Sequence, residues 1–124
     1  IVLVILLPLA VVVGALAALT VAAPVAPVPS VAAVADPLQA GQRALAADDP
    51  LLAIAYFGQV PRSDRGKYSR AQRMIGYRVY TNRLDRPAEG LRYVFRSVAA
   101  EPLSGNTWQD AARTVAALFG LERL

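Results

Sequence analysis

The sequence predicts an all-α protein in two unequal parts, an apolar N-terminal helix followed by a small charged helical domain. Three observations lead there. Residues 1–35 hold no ionisable side chain, the first being Asp36. Beyond that point apolar residues recur at helical spacing between breaks marked by aspartate and proline. No stretch alternates apolar with polar residues, and no Asn-Gly hairpin signal occurs. All 13 basic and 9 acidic side chains therefore fall after residue 35, so the 56% apolar content reflects the opening run. The remainder has ordinary globular composition.

Residues 1–23 supply about the 20 apolar residues that a helix needs to cross a bilayer core, and a transmembrane helix is expected there. Pro8 bends such a helix without forbidding it. Gly14, Ala15 and Ala18 give it a small-residue face that lets another helix come close. Ala33-Val34-Ala35 also reads as a small-residue cleavage site, but the apolar stretch is longer than a usual signal core, which favours a retained anchor. Residues 24–36 form a linker of Pro, Ala and Val. Pro24, Pro27 and Pro29 hold it extended, near polyproline II. A free linker is polar. This one is apolar and is expected to lie along another protein's surface or in the membrane interface, as in a larger assembly.

The helical domain occupies residues 37–124. A first helix is expected over 37–47. Asp48-Asp49-Pro50 stops and restarts the chain, with Asp49 as cap and Pro50 in the first turn. A second helix runs to about residue 60 and carries Leu51, Ile54, Phe57 and Val60. The loop 61–66 leads to a third helix over 67–83, with Ala71, Met74, Ile75 and Val79 on one flank. Asp85-Arg86-Pro87 restarts a fourth helix to about residue 99. Residues 102–106 turn, and a fifth helix over 108–119 closes the domain.

An internal period accompanies these breaks. Gly41 precedes Ala53 by 12 residues, Gly76 precedes Ala88 by 12, and both pairs recur at a spacing of 35. With Phe57, these positions resemble the tetratricopeptide repeat, a helical hairpin of about 34 residues. The resemblance covers residues 37–102. Pro37, Ala44 and Arg65 depart from the family's first unit, and Val79 and Arg92 from its second. It implies two hairpins packed through Gly41, Ala53, Phe57, Gly76 and Ala88, with the last helix as a cap. It also implies a partner-binding groove lined by Arg70, Arg73, Tyr77 and Tyr80 on the third helix, Leu38 and Gln42 on the first, and Trp108 on the last. Paired guanidinium groups there suit a carboxylate-bearing peptide.

Charge adds to this. Residues 62–96 hold ten basic and three acidic residues, a surface suited to anionic lipid or an acidic subunit. With one lysine and no recognised motif, nucleic acid is the least favoured partner. Without histidine or cysteine, thiolate chemistry and the usual zinc ligands are excluded. The nine acids are scattered and no phosphate-binding glycine loop occurs, so no cofactor, metal or catalytic residue is expected. Alanine and arginine are abundant in the manner of GC-rich bacterial genomes. The expected function is a non-catalytic accessory or scaffold subunit of a bacterial membrane complex, contacting neighbouring subunits and the bilayer. The alternative is a self-assembling, pilus-like filament subunit with the apolar helix in its core. Since no Lys or Arg follows the span before Arg43, the helical domain is expected outside the cytoplasm.

Overall fold

Aspartate side chains start three of the five α-helices in the computed structural model, which describes residues 27–121. Helix α1 spans Pro37–Ala46, and Asp36 accepts from the Gln39 amide at 3.2 Å. Helix α2 spans Pro50–Phe57, and Asp49 accepts from the Leu52 amide at 3.2 Å. Helix α3 spans Arg65–Arg73, and Asp64 accepts from the Lys67 amide at 3.3 Å. Each cap satisfies a backbone N–H that the first turn leaves without an internal acceptor. Proline opens α1, α2 and α4 (Pro87–Ala100), where its missing N–H costs nothing. Helix α5 spans Gly105–Leu118. No strand occurs among the described residues.

Helix α3 does not end at Arg73. It continues as a π-helix, Met74–Thr81, whose wider turns show in the Tyr77 carbonyl accepting from Asn82 at 3.0 Å and the Val79 carbonyl from Leu84 at 2.9 Å. Thr81 supports the segment by donating its hydroxyl to the Gly76 carbonyl at 2.8 Å.

Two reversals make the domain fold on itself. Asp48 (φ 60°) turns the chain after α1 and Asp85 (φ 53°) turns it after the π segment, both in the left-handed region that a short polar side chain tolerates. Helix α2 thus returns along α1, and α4 along the π-helix. The core between them holds Leu38, Leu45, Ala53, Ile54, Phe57, Ala71, Ile75, Val79 and Tyr80. A polar clamp ties α3 to α4, where the hydroxyls of Ser69 and Ser97, both buried, lie 2.8 Å apart.

The two hairpins are not two copies of one packing, which corrects the repeat reading. In the first, the close approach is at Gly41, where a Cβ would stand 2.5 Å from the Phe57 ring. Thirty-five residues on, the counterpart of Phe57 is Arg92, which is exposed. Gly76 instead meets the backbone of Gly90 and the side chain of Val94, and a Cβ on it would lie 2.5 Å from the Gly90 carbonyl. Ala53 is fully buried, whereas Ala88 is half-buried. The π-helix shifts the register between Gly76 and the following turn, so equal spacing in sequence does not produce equal neighbours in space.

The membrane reading is also corrected. The expected span over residues 1–23, with Gly14, Ala15 and Ala18, lies outside the described residues, and among those described no helix is long and apolar enough to cross a membrane. The anchored accessory subunit, the filament core, the bilayer as partner and the placement outside the cytoplasm all rested on that span and lose their support with it. Of the linker, residues 27–35 are described. They form no helix or strand, bend at Ala35, and are tied at Ala32 and Val34 to the protein's own helical domain rather than to another protein.

Candidate functional site

The stripe expected on the third helix does not form one open face. Arg73 pairs with Asp110 of α5 at 3.3 Å, with both side chains less than a fifth exposed. Arg113 of the same helix lies over the Tyr77 ring, 5.8 Å from its centroid. Helix α5 therefore sits on the surface where a partner was expected. Tyr80 turns inward and stacks on Tyr93 at 5.2 Å. Burial pushes its phenol up to about 12, and Tyr93 and Glu89 add to the shift. Leu38 is buried in the core, and Gln42 donates to the Met74 sulfur at 3.9 Å. Trp108 is half exposed, its indole N–H donating to the Pro102 carbonyl at 2.6 Å. Arg70 is exposed to solvent.

A different site is assembled where the extended segment crosses α2. Gln59, just beyond the end of α2, grips that segment at two points. Its side-chain oxygen accepts from the Val34 amide at 3.1 Å, and its nitrogen donates to the Ala32 carbonyl at 2.9 Å. One primary amide thus satisfies a donor and an acceptor of an extended backbone. The held segment then brings Val28, Pro29 and Val31 to the edge of a groove of about 570 Å³. This volume lies in the range of roughly 300–1,000 Å³ typical of ligand pockets.

The other walls follow from helix spacing around the serine clamp. On α3, Tyr68 and Gln72 flank Ser69; on α4, Tyr93 and Arg96 flank Ser97. The small buried serines let the two helices approach, so the large side chains beside them open toward one space. Ile54, Val60 and Ile75 form the apolar floor, and Arg62 enters from the loop after α2. Arg62 lies over the Tyr68 ring at 5.7 Å, and Arg96 over the Tyr93 ring at 5.2 Å. No acidic residue lines the groove. It is therefore a positive, aromatic-walled recess. Gln72 is only 5% exposed, and its side-chain oxygen has no hydrogen-bond partner among the described residues.

Sequence reasoning missed Gln59, Tyr68, Gln72, Tyr93 and Arg96. Arg62 and Arg96 stood inside the basic run but carried no individual signal. A signal for Gln72 existed: it follows Ser69 by three and precedes Ile75 by three, which sets a glutamine on a core-facing stripe. Among the described residues no group of three or more Asp, Glu, His or Cys is placed to hold a metal ion.

Fold and groove together define an all-helical domain with a basic recess closed along one edge by its own extended segment. No protein-family model, curated protein or solved structure matches the chain. The tetratricopeptide resemblance thus has no family match behind it, and the concave partner groove it implied is withdrawn with it.

Proposed function

We propose that this chain is a non-catalytic binding domain for anionic ligands, with its site in the groove between α2, α3, α4 and residues 28–31. The observation that carries the reading is the convergence of Arg62 and Arg96 on a recess that no carboxylate lines. Neither guanidinium has a carboxylate partner among the described residues. Each, although exposed, lies over a tyrosine ring, a contact that restrains the side chain without neutralising it. Cations kept ready in this way lose less side-chain freedom when an anion arrives. The lining offers no carboxylate, imidazole or thiol to move a proton or attack a substrate, which supports binding without turnover.

Nuclear magnetic resonance titration of the full chain with small fragments tests the reading. Succinate should shift the signals of Gln72 and Tyr93, whereas a neutral diamide and an alkyl diamine should leave them in place. Equal responses to all three, or shifts confined to other surfaces, would overturn it.

A further inference from the structure

Resting on that reading, we infer that the groove takes an extended acidic peptide, laid beside the Val28–Val31 edge, with its carboxylates on Arg62 and Arg96 and a main-chain N–H on Gln72.

Three independent features select a polypeptide. The first is the edge itself. Residues 28–31 form neither helix nor strand and line the groove, so a chain laid there runs beside main chain that no regular element has taken up. The second is the mode of grip already present. Gln59 holds residues 32–34 through backbone N–H and C=O groups alone, a contact indifferent to side chains and available to any extended chain. The third is Gln72. A buried acceptor without a donor carries a desolvation penalty, and its oxygen is buried in a residue that lines the groove. A backbone N–H met as the Gln72 side chain turns to the groove removes that penalty, whereas a carboxylate has no proton to donate.

Charge then restricts which peptide fits. Two guanidinium groups and no acidic residue line the recess, so glutamate or aspartate side chains gain charge-assisted hydrogen bonds there. A basic peptide is repelled. Single-stranded nucleic acid fits less well. It binds by stacking bases on open aromatic faces, whereas Arg62 covers Tyr68, and Tyr93 is taken up by Tyr80 and Arg96. Small apolar residues between the acids suit the floor of Ile54, Val60 and Ile75.

The test is calorimetric titration of the full chain with a short synthetic peptide of proline, alanine and glutamate, against the same peptide with glutamine for glutamate. The glutamate peptide should bind about tenfold or more tightly than its neutral counterpart. Arg62→Gln and Arg96→Gln should each remove most of that difference while the domain stays folded. Gln72→Leu distinguishes a binding role from a structural one. It removes a buried unpaired acceptor, so the free chain should keep or gain stability while the peptide binds about tenfold more weakly. Equal affinity for both peptides, unchanged affinity in Gln72→Leu, or an oligothymidylate that binds more tightly than the glutamate peptide would each overturn the inference. Succinate shifting Gln72 and Tyr93 while both peptides stay silent removes the peptide and leaves the anionic site standing. Silence of fragments and peptides alike removes the site as well.

Discussion

The two hairpins reach close helix packing by different means. In the first, Gly41 makes room for a side chain, the fully buried ring of Phe57. In the second, Gly76 makes room for backbone, the carbonyl of Gly90. A ring has neighbours that can shift, whereas a helix carbonyl is fixed by the hydrogen bonds of its own helix. Glycines that look equivalent at a spacing of 35 thus answer to constraints of unequal stiffness. That difference also matters for the groove, because the stiff crossing belongs to the hairpin that supplies Tyr68, Gln72, Tyr93 and Arg96.

The largest effect is therefore expected at Gly76. Gly76→Ala places a methyl against the Gly90 carbonyl, and one helix must move away from the other. A loss of about 3 kcal/mol in urea unfolding is expected, at the upper end of overpacking costs. Trimming the side-chain neighbour with Val94→Ala in the same chain should recover little, because the carbonyl remains. Gly41→Ala should cost about 2 kcal/mol. Here Phe57→Leu in the same chain should recover part of the loss, so the pair costs less than the sum of its members. Full recovery at both sites, or at neither, would erase the distinction between the hairpins.

The second hairpin also carries Tyr80, which adds a dependence on pH. Burial, with Tyr93 and Glu89 in support, pushes its phenol from 10.0 up to about 12, against the opposing charge of Arg92. The sign follows from the raised value. Below pH 10 both folded and unfolded chains keep the proton, and the stabilisation is fully present. Between pH 10 and 12 the unfolded chain ionises while the folded one does not. Stability should fall across that window by on the order of 2 kcal/mol. Denaturant titrations at stepped pH measure it. Tyr80→Phe should flatten the curve in that window, and an unchanged slope in the variant would assign the loss to other groups.

Much of the fold was legible in the sequence because its punctuation is local. Asp48-Asp49-Pro50 states turn, cap and first helical residue within three positions, Asp85-Arg86-Pro87 states turn and first helical residue, and the helices begin at Pro50 and Pro87. What stayed hidden depends on distant partners. Gln59 binds backbone 25 and 27 residues away, and nothing in its neighbourhood marks it as a clamp. The π-helix offers no pattern of its own in Met74–Thr81, yet it decides which residue faces Gly76. The stripe Arg70, Arg73, Tyr77 and Tyr80 was read at the spacing of a regular α-helix; α5 covers its middle and Tyr80 turns into the core. The basic run over residues 62–96 was visible, but which two arginines stand in a recess depends on how α3 and α4 meet at Ser69 and Ser97.

The smallest expected effect concerns the joint between the hairpins. Asp48, in the turn of the first, accepts from Arg83, in the turn of the second, at 2.7 Å. The distance is short, but the side chains are 81% and 44% exposed, and exposed pairs contribute little once water screens them. Asp48 has a second role, since its backbone holds φ 60°, where a side chain with a β-carbon and no local polar group costs about 1–2 kcal/mol. Two substitutions separate the roles. Asp48→Asn removes the charge and tolerates the same backbone, so it should change stability by no more than about 0.5 kcal/mol. Asp48→Ala removes both and should cost about 1 kcal/mol more. Adding salt should leave both values nearly unchanged. A loss in Asp48→Asn as large as in Asp48→Ala, and shrinking with salt, would mean that the ion pair rather than the turn holds the hairpins in register.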